Sequence, residues 1–142
     1  MDFFEHRASL GERADPETER VASLVIGAAI EVHKHLGPGL PEAVYQNALC
    51  HELTLRSLPF ESQAPVPAIY KGVSVGKGYV DLLVANCVVV ELKAVEALTD
   101  VHRGQVIAYL SALKLRLGLL INFNVAALRQ GLKRVVNDRI SK

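Results

Sequence analysis

Gly78-Tyr79-Val80-Asp81-Leu82-Leu83-Val84, then Ala85-Asn86-Cys87, then Val88-Val89-Val90-Glu91-Leu92-Lys93 is the stretch on which the fold turns. Valine and leucine fill consecutive positions on either side of a short polar break. Runs apolar on both faces suit strands covered on both sides. Each run also carries charge: Asp81 in the first, Glu91 and Lys93 closing the second. Glu-x-Lys alone also fits a solvated strand edge, because residues two apart share a face. Next to buried runs, the charges instead need partners or a metal. Two carboxylates and an ammonium on adjacent strands can hold a hard divalent cation such as magnesium, which takes oxygen ligands and keeps several waters. Such an ion lowers the pKa of a bound water and neutralises charge on an attacked phosphate.

The pairing register carries a condition. Opposed residues of an antiparallel hairpin point to the same face. A two-residue turn at Ala85-Asn86 sets Val80 against Glu91 and sends Asp81 to the other face. Convergence of Asp81 and Glu91 therefore requires a three-residue loop, Ala85-Asn86-Cys87, or a bulge near Asp81.

Upstream, Asp15-Pro16-Glu17 reads as a helix start, with a capping carboxylate, proline at the first position and an acidic first turn. Val21, Leu24, Val25, Ala28, Val32 and Leu36 repeat at helical spacing, and Gly37-Pro38-Gly39 ends the helix. A second helix is predicted from about Pro41 to Arg56, with Tyr45, Ala48, Leu49 and Leu53 on one face. Pro65 and Pro67 mark residues 60–70 as an edge strand. Val73 to Val75 is predicted as a short strand, with a turn at Gly76-Lys77-Gly78. Thr99 or Asp100 caps a helix carrying Val101, Ala108, Tyr109 and Ala112, followed by strands at Leu117 to Phe123 and Leu132 to Val136. The helix between the strand ending at Lys93 and the strand starting at Leu117 makes those two strands parallel. The expected sheet is mixed, with helices on both faces.

The 142 residues allow one sizeable core. Residues 1–14 read as a loosely held arm and 15–142 as a single domain. Half the residues are hydrophobic and 22% are charged, with a net charge of +1. That balance excludes coating of nucleic acid by bulk charge but leaves room for a local basic rim. No apolar run is long enough to span a bilayer, and the first residues lack the pattern of a signal peptide. Cys50 and Cys87 have no metal-type spacing and read as reduced thiols of a cytoplasmic protein. His33 and His35 suit the C-terminal end of the first helix, and His102 stands near Gln105. No phosphate-binding glycine loop is present, since Gly37-Pro38-Gly39 lacks the following Lys-Ser or Lys-Thr.

With Gly39-Leu40-Pro41-Glu42-Ala43-Val44-Tyr45 added to the hairpin, the chain resembles the GxxExxY family of the PD-(D/E)XK nuclease-like superfamily. The similarity runs from about Glu19 to Val136 and includes Gly37-Pro38-Gly39-Leu40, Val90-Glu91-Leu92-Lys93-Ala94-Val95 and Gly118-Leu119-Leu120-Ile121-Asn122-Phe123. The resemblance implies a restriction-endonuclease-like αβββαβ core and a magnesium- or manganese-dependent nuclease acting on DNA or RNA. It implies catalytic roles for Glu42, Asp81, Glu91 and Lys93, with Glu42, Asp81 and Glu91 as metal ligands, and supporting roles for Tyr45, Gln105 and Tyr109. Val80 stands where the superfamily has its usual proline before the aspartate. The other reading is a nucleic-acid- or partner-binding module that keeps the constellation for structure. A lone small domain also leaves open a place in a homo-oligomer or larger complex.

Overall fold

The computed structural model describes residues 14–138. Residues 1–13, most of the expected arm, lie outside the described residues, and Ala14 is already part of the core. The elements follow the order helix α1 (Pro16–Leu36), helix α2 (Glu42–Leu55), strand β1 (Phe60–Tyr70), strand β2 (Val73–Val84), strand β3 (Val88–Lys93), helix α3 (Asp100–Leu113), strand β4 (Leu117–Asn122), a 3₁₀ turn (Leu128–Gly131) and strand β5 (Leu132–Val136). The five strands form one sheet in sequence order. Only the β3–β4 pair is parallel, as the helical crossover requires.

The sheet separates two cores. On one face α1 and α2 pack on Leu82, Val84, Val88, Val90, Leu92, Leu117, Leu119 and Ile121. On the other, Val106 and Leu110 of α3 pack on Val80, Val89, Leu120 and Val135. Every β4 residue and all of β3 except Lys93 is buried, so the valine and leucine runs are the two-sided centre of the sheet. Leu119→Ala would leave a cavity at this seam and cost about 2–5 kcal/mol.

Local chemistry sets the helix ends. Asp15 caps α1 by accepting from the Thr18 amide at 3.0 Å, and these bonds hold its carboxyl below its ordinary pKa. Gly37 closes the helix at φ 66°. Thr99 caps α3, and His102 completes a reciprocal capping box.

Three expectations need correction. Leu24 and Leu36 are exposed, and the buried stripe of α1 is instead Val21, Ala22, Val25, Ile26, Ala28, Ala29, Val32 and His33. In α3 the buried residues are Val106 and Leu110, while Val101, Ala108 and Ala112 are exposed. Gly118 explains the tight docking there, since a Cβ at that position would lie 2.7 Å from Val106 Cγ1. Finally, Gly76-Lys77-Gly78 is not a turn. β2 runs unbroken from Val73 to Val84, and the irregularity is a register shift opposite Ala68 and Ile69, with Gly76 at φ 139°. Glycine there serves a bulge rather than a chain reversal.

Candidate active site

The β2–β3 connection is the three-residue loop Ala85-Asn86-Cys87, with pairs Leu82–Val90, Leu83–Val89 and Val84–Val88. Ala85 and Asn86 adopt left-handed backbone, at φ 50° and 57°. This loop sets Asp81 level with Glu91, the condition for convergence stated above.

The regular ladder stops there, and the carboxylates take over its hydrogen bonds. The Asp81 amide donates to Glu91 Oε1 at 2.9 Å, and the Leu92 amide donates to Asp81 Oδ2 at 2.8 Å. Each acidic side chain thus accepts from the neighbouring strand's backbone. The strand also turns over at this point. Val80 belongs to the core under α3 while Leu82, two residues on, belongs to the core under α1 and α2. Residues two apart normally share a face. On the edge strand, Gln63 takes a left-handed φ of 53° beside Asp81, and its side chain donates to Asp81 Oδ1 at 3.4 Å. Face change and carboxylate pairing coincide at one level of the sheet.

Glu91 is only 4% exposed. Its pKa is pushed up to about 8, first by burial and then by the charge of Asp81, against the pull of the Asp81 amide and of Lys93. Lys93, half-buried at the end of β3, donates from Nζ to Gln105 Oε1 at 3.4 Å, and Gln105 Nε2 donates to the Tyr109 hydroxyl at 3.2 Å. One turn apart on α3, Gln105 and Tyr109 share a face, so the helix orients the ammonium.

Glu42 begins α2 on the opposite rim and is exposed. Partial enclosure raises its pKa first, then the charge of Asp81, while Lys93 and His102 lower it. Glu42 therefore lies in the electrostatic field of Asp81, Lys93 and His102. Gln46, one turn further along α2, donates to the Asp81 backbone carbonyl at 3.3 Å and fixes the helix to that strand. The structure thus brings together Asp81, Glu91, Lys93, Gln105 and Tyr109, with Glu42 at the rim. Tyr45 is not among them. It is fully buried, stacks on Phe123 at 4.6 Å, donates to the Gly37 carbonyl at 2.6 Å and accepts from the Leu40 amide at 3.1 Å. It latches the loop that leads into Glu42.

Gln63, Gln46 and the rim position of His102 were missed or underweighted in the sequence. Gln46 follows Glu42 by four residues, a signal that was available. Gln63 becomes visible only through the β1–β2 register, which places it level with Asp81.

The donor set fits a hard divalent cation. Burial and the charge of Asp81 raise the proton affinity of Glu91, and a doubly charged ion relieves that repulsion. Among the described residues, no three His, Cys, Asp or Glu side chains gather into a ready metal cage. The fit therefore rests on the Asp81–Glu91 pair, which suits an ion that keeps several waters.

Residues 19–135 match the family model described as the PD-(D/E)XK nuclease superfamily. No curated protein and no solved structure matches the chain.

Proposed function

The chain belongs to the PD-(D/E)XK nuclease superfamily, and we propose that it is a divalent-metal-dependent nuclease hydrolysing phosphodiester bonds of DNA or RNA. The observation that carries this reading is the Asp81–Glu91 pair, joined through backbone amides at 2.8 and 2.9 Å, with Lys93 two residues on. Gly39, Glu42 and Tyr45 fit the finer placement in the GxxExxY branch.

Asp81 and Glu91 would hold magnesium or manganese, with Glu42 adding negative charge from the rim. Such an ion would neutralise charge on the phosphate and acidify the attacking water. Near neutral pH the metal-free Glu91 keeps its proton, so loading the site releases it. Gln105 holds the Lys93 ammonium at the rim of the pair, where it stabilises the charge that develops on the phosphate oxygens. Tyr109 fixes Gln105, and Gln63 and Gln46 steady Asp81.

A second reading, a binding module that keeps the constellation for structure, draws on the amides that already satisfy both carboxylates. Incubation of the purified protein with single- and double-stranded DNA and RNA, with and without magnesium or manganese, separates the two. The nuclease reading expects metal-dependent cleavage that Glu91→Ala and Lys93→Ala abolish. Cleavage by both variants at the wild-type rate would refute the assignment, and no cleavage by any preparation would favour the module. Cys50 and Cys87 are unbridged thiols, in keeping with a reducing, cytoplasmic location. No helix among the described residues is long and apolar enough to cross a membrane.

A further inference from the structure

The β1–β2 hairpin reaches well past the core. Beyond Val66 and Val80 no residue of either strand is buried. Ile69, Tyr70, Val73 and Val75 each keep 61–62% of their surface in water, and Tyr79 keeps 47%. An apolar surface of this kind on a projecting ribbon marks a contact surface. Pro65, Pro67, Ser74, Gly76 and Lys77 line a shallow groove of about 490 Å³ along it.

Charge and chemistry select the occupant. Between Gln63 and Val80, the only charged residues are Lys71 and Lys77. Each ammonium sits over a tyrosine ring: Lys71 at 5.4 Å from the Tyr70 centroid and Lys77 at 5.8 Å from that of Tyr79. A cation beside an exposed ring can meet a phosphate while the ring stacks on a base. A second copy of the chain fits less well. A two-fold contact through this ribbon would oppose lysine to lysine with no acidic residue of the ribbon between them. Pro65 and Pro67 also remove amide donors from the edge strand, which obstructs extension of the sheet by another strand.

The base of the ribbon reaches the site. A Cβ at Gly78 would lie 3.1 Å from Tyr109 Cε1, so the strand runs directly under the tyrosine that holds Gln105, which in turn holds Lys93. Tyr79 precedes Asp81 by two residues, about 7 Å along a strand.

We propose that residues 65–79 form a docking arm for an unpaired nucleic-acid strand, with bases stacked on Tyr70 and Tyr79 and phosphates met by Lys71 and Lys77, leading that strand to Asp81 and Glu91. The inference rests on the nuclease reading of the adjoining site, to which it adds the substrate class. From Val73 to Asp81 the arm spans about 27 Å, enough for several nucleotides.

Fluorescence anisotropy of labelled oligo-dT and oligo-U of about 20 nucleotides, with chelator present to prevent cutting, reads the arm directly. The single strands bind more tightly than a duplex of the same length. Tyr70→Ala and Tyr79→Ala each weaken binding roughly 5- to 100-fold. The double variant Lys71→Ala/Lys77→Ala flattens the slope of log K against log salt by about 1.4. These side chains are exposed, so unchanged melting temperatures certify the fold, and hydrolysis of a small phosphodiester stays at the wild-type rate. Unchanged affinity and salt slope in all variants would overturn the arm, as would conversion of a dimer to monomer with strand binding intact. A wild-type protein that binds strands through the arm yet never cuts them removes the nuclease reading and leaves the arm standing. Normal oligonucleotide cleavage with unaltered KM in the arm variants does the reverse.

Discussion

Among the described residues, the carboxylates at Glu19 and at the Asp81–Glu91 pair are held in opposite ways. Where α1 meets β5, Glu19 lies against Arg134 in a two-pronged pair, with side chains 15% and 10% exposed. A planar guanidinium matches a carboxylate in shape and sign, so the charges are settled inside the fold. Where β2 meets β3, Asp81 and Glu91 face each other, and Lys93, whose charge offsets theirs only in part, is tied to Gln105. Burial and like charge together lift Glu91 to about pH 8. A fold maintaining itself for stability uses the first arrangement. The second costs stability in the metal-free protein and is sensible where a cation from solution completes it.

The largest effects should be catalytic. Lys93→Ala removes one preorganised charge and should slow cleavage on the order of 10²- to 10³-fold while metal still binds. Glu91→Ala should abolish cleavage and weaken metal binding as well. Steady-state kinetics with metal titration separates the two losses. Equal losses of metal affinity in both variants would erase the distinction between ligand and charge stabiliser.

Stability should move in opposite directions at the two carboxylate sites. Arg134→Ala takes the guanidinium from the largely enclosed Glu19 carboxylate, which keeps the Ala14 amide, and should cost about 3 kcal/mol in denaturant unfolding. Glu91→Gln should instead stabilise the metal-free protein at pH 8. The folded pKa of Glu91 is about 8 against an ordinary 4.5, so the folded chain holds a proton that the unfolded chain has released. Stability from this group is full below about pH 4.5, falls as pH rises and is lost by about pH 8. Glu91→Gln should flatten that slope, and a variant with the wild-type slope would show that another group carries it.

Metal should act on only one of the two sites. At a hundredfold excess over Kd, bound ion stabilises by about 2.7 kcal/mol. A rise in melting temperature should appear in wild type and in Arg134→Ala but not in Asp81→Ala. The smallest expected change is in Tyr45→Phe, which removes the hydrogen bond to the Gly37 carbonyl. It should cost about 1 kcal/mol and leave metal binding intact.

Much of this contrast was legible in the sequence. The valine run of β3 announced a buried strand, convergence of Asp81 and Glu91 demanded a three-residue loop or a bulge, of which the loop is found, and helical spacing paired Gln105 with Tyr109. The Glu19–Arg134 pair was not legible, because its members stand 115 residues apart and meet only through packing. The depth of Tyr45 was not legible either, because its spacing from Glu42 gives a shared side of the helix but not burial, and Phe123 draws its ring into the core. The long hairpin arm was hidden by its glycines, which punctuate a turn and a bulge alike.

The central claim, that Asp81 and Glu91 form a site completed by a divalent cation, is tested most directly by calorimetric titration of magnesium and of manganese at pH 7 in buffers of different ionisation enthalpy. Wild type should bind with release of close to one proton, supplied by Glu91, and Glu91→Gln should show neither the proton release nor the wild-type affinity. Equal affinity and equal proton release in the two proteins, or no binding by wild type, would contradict it.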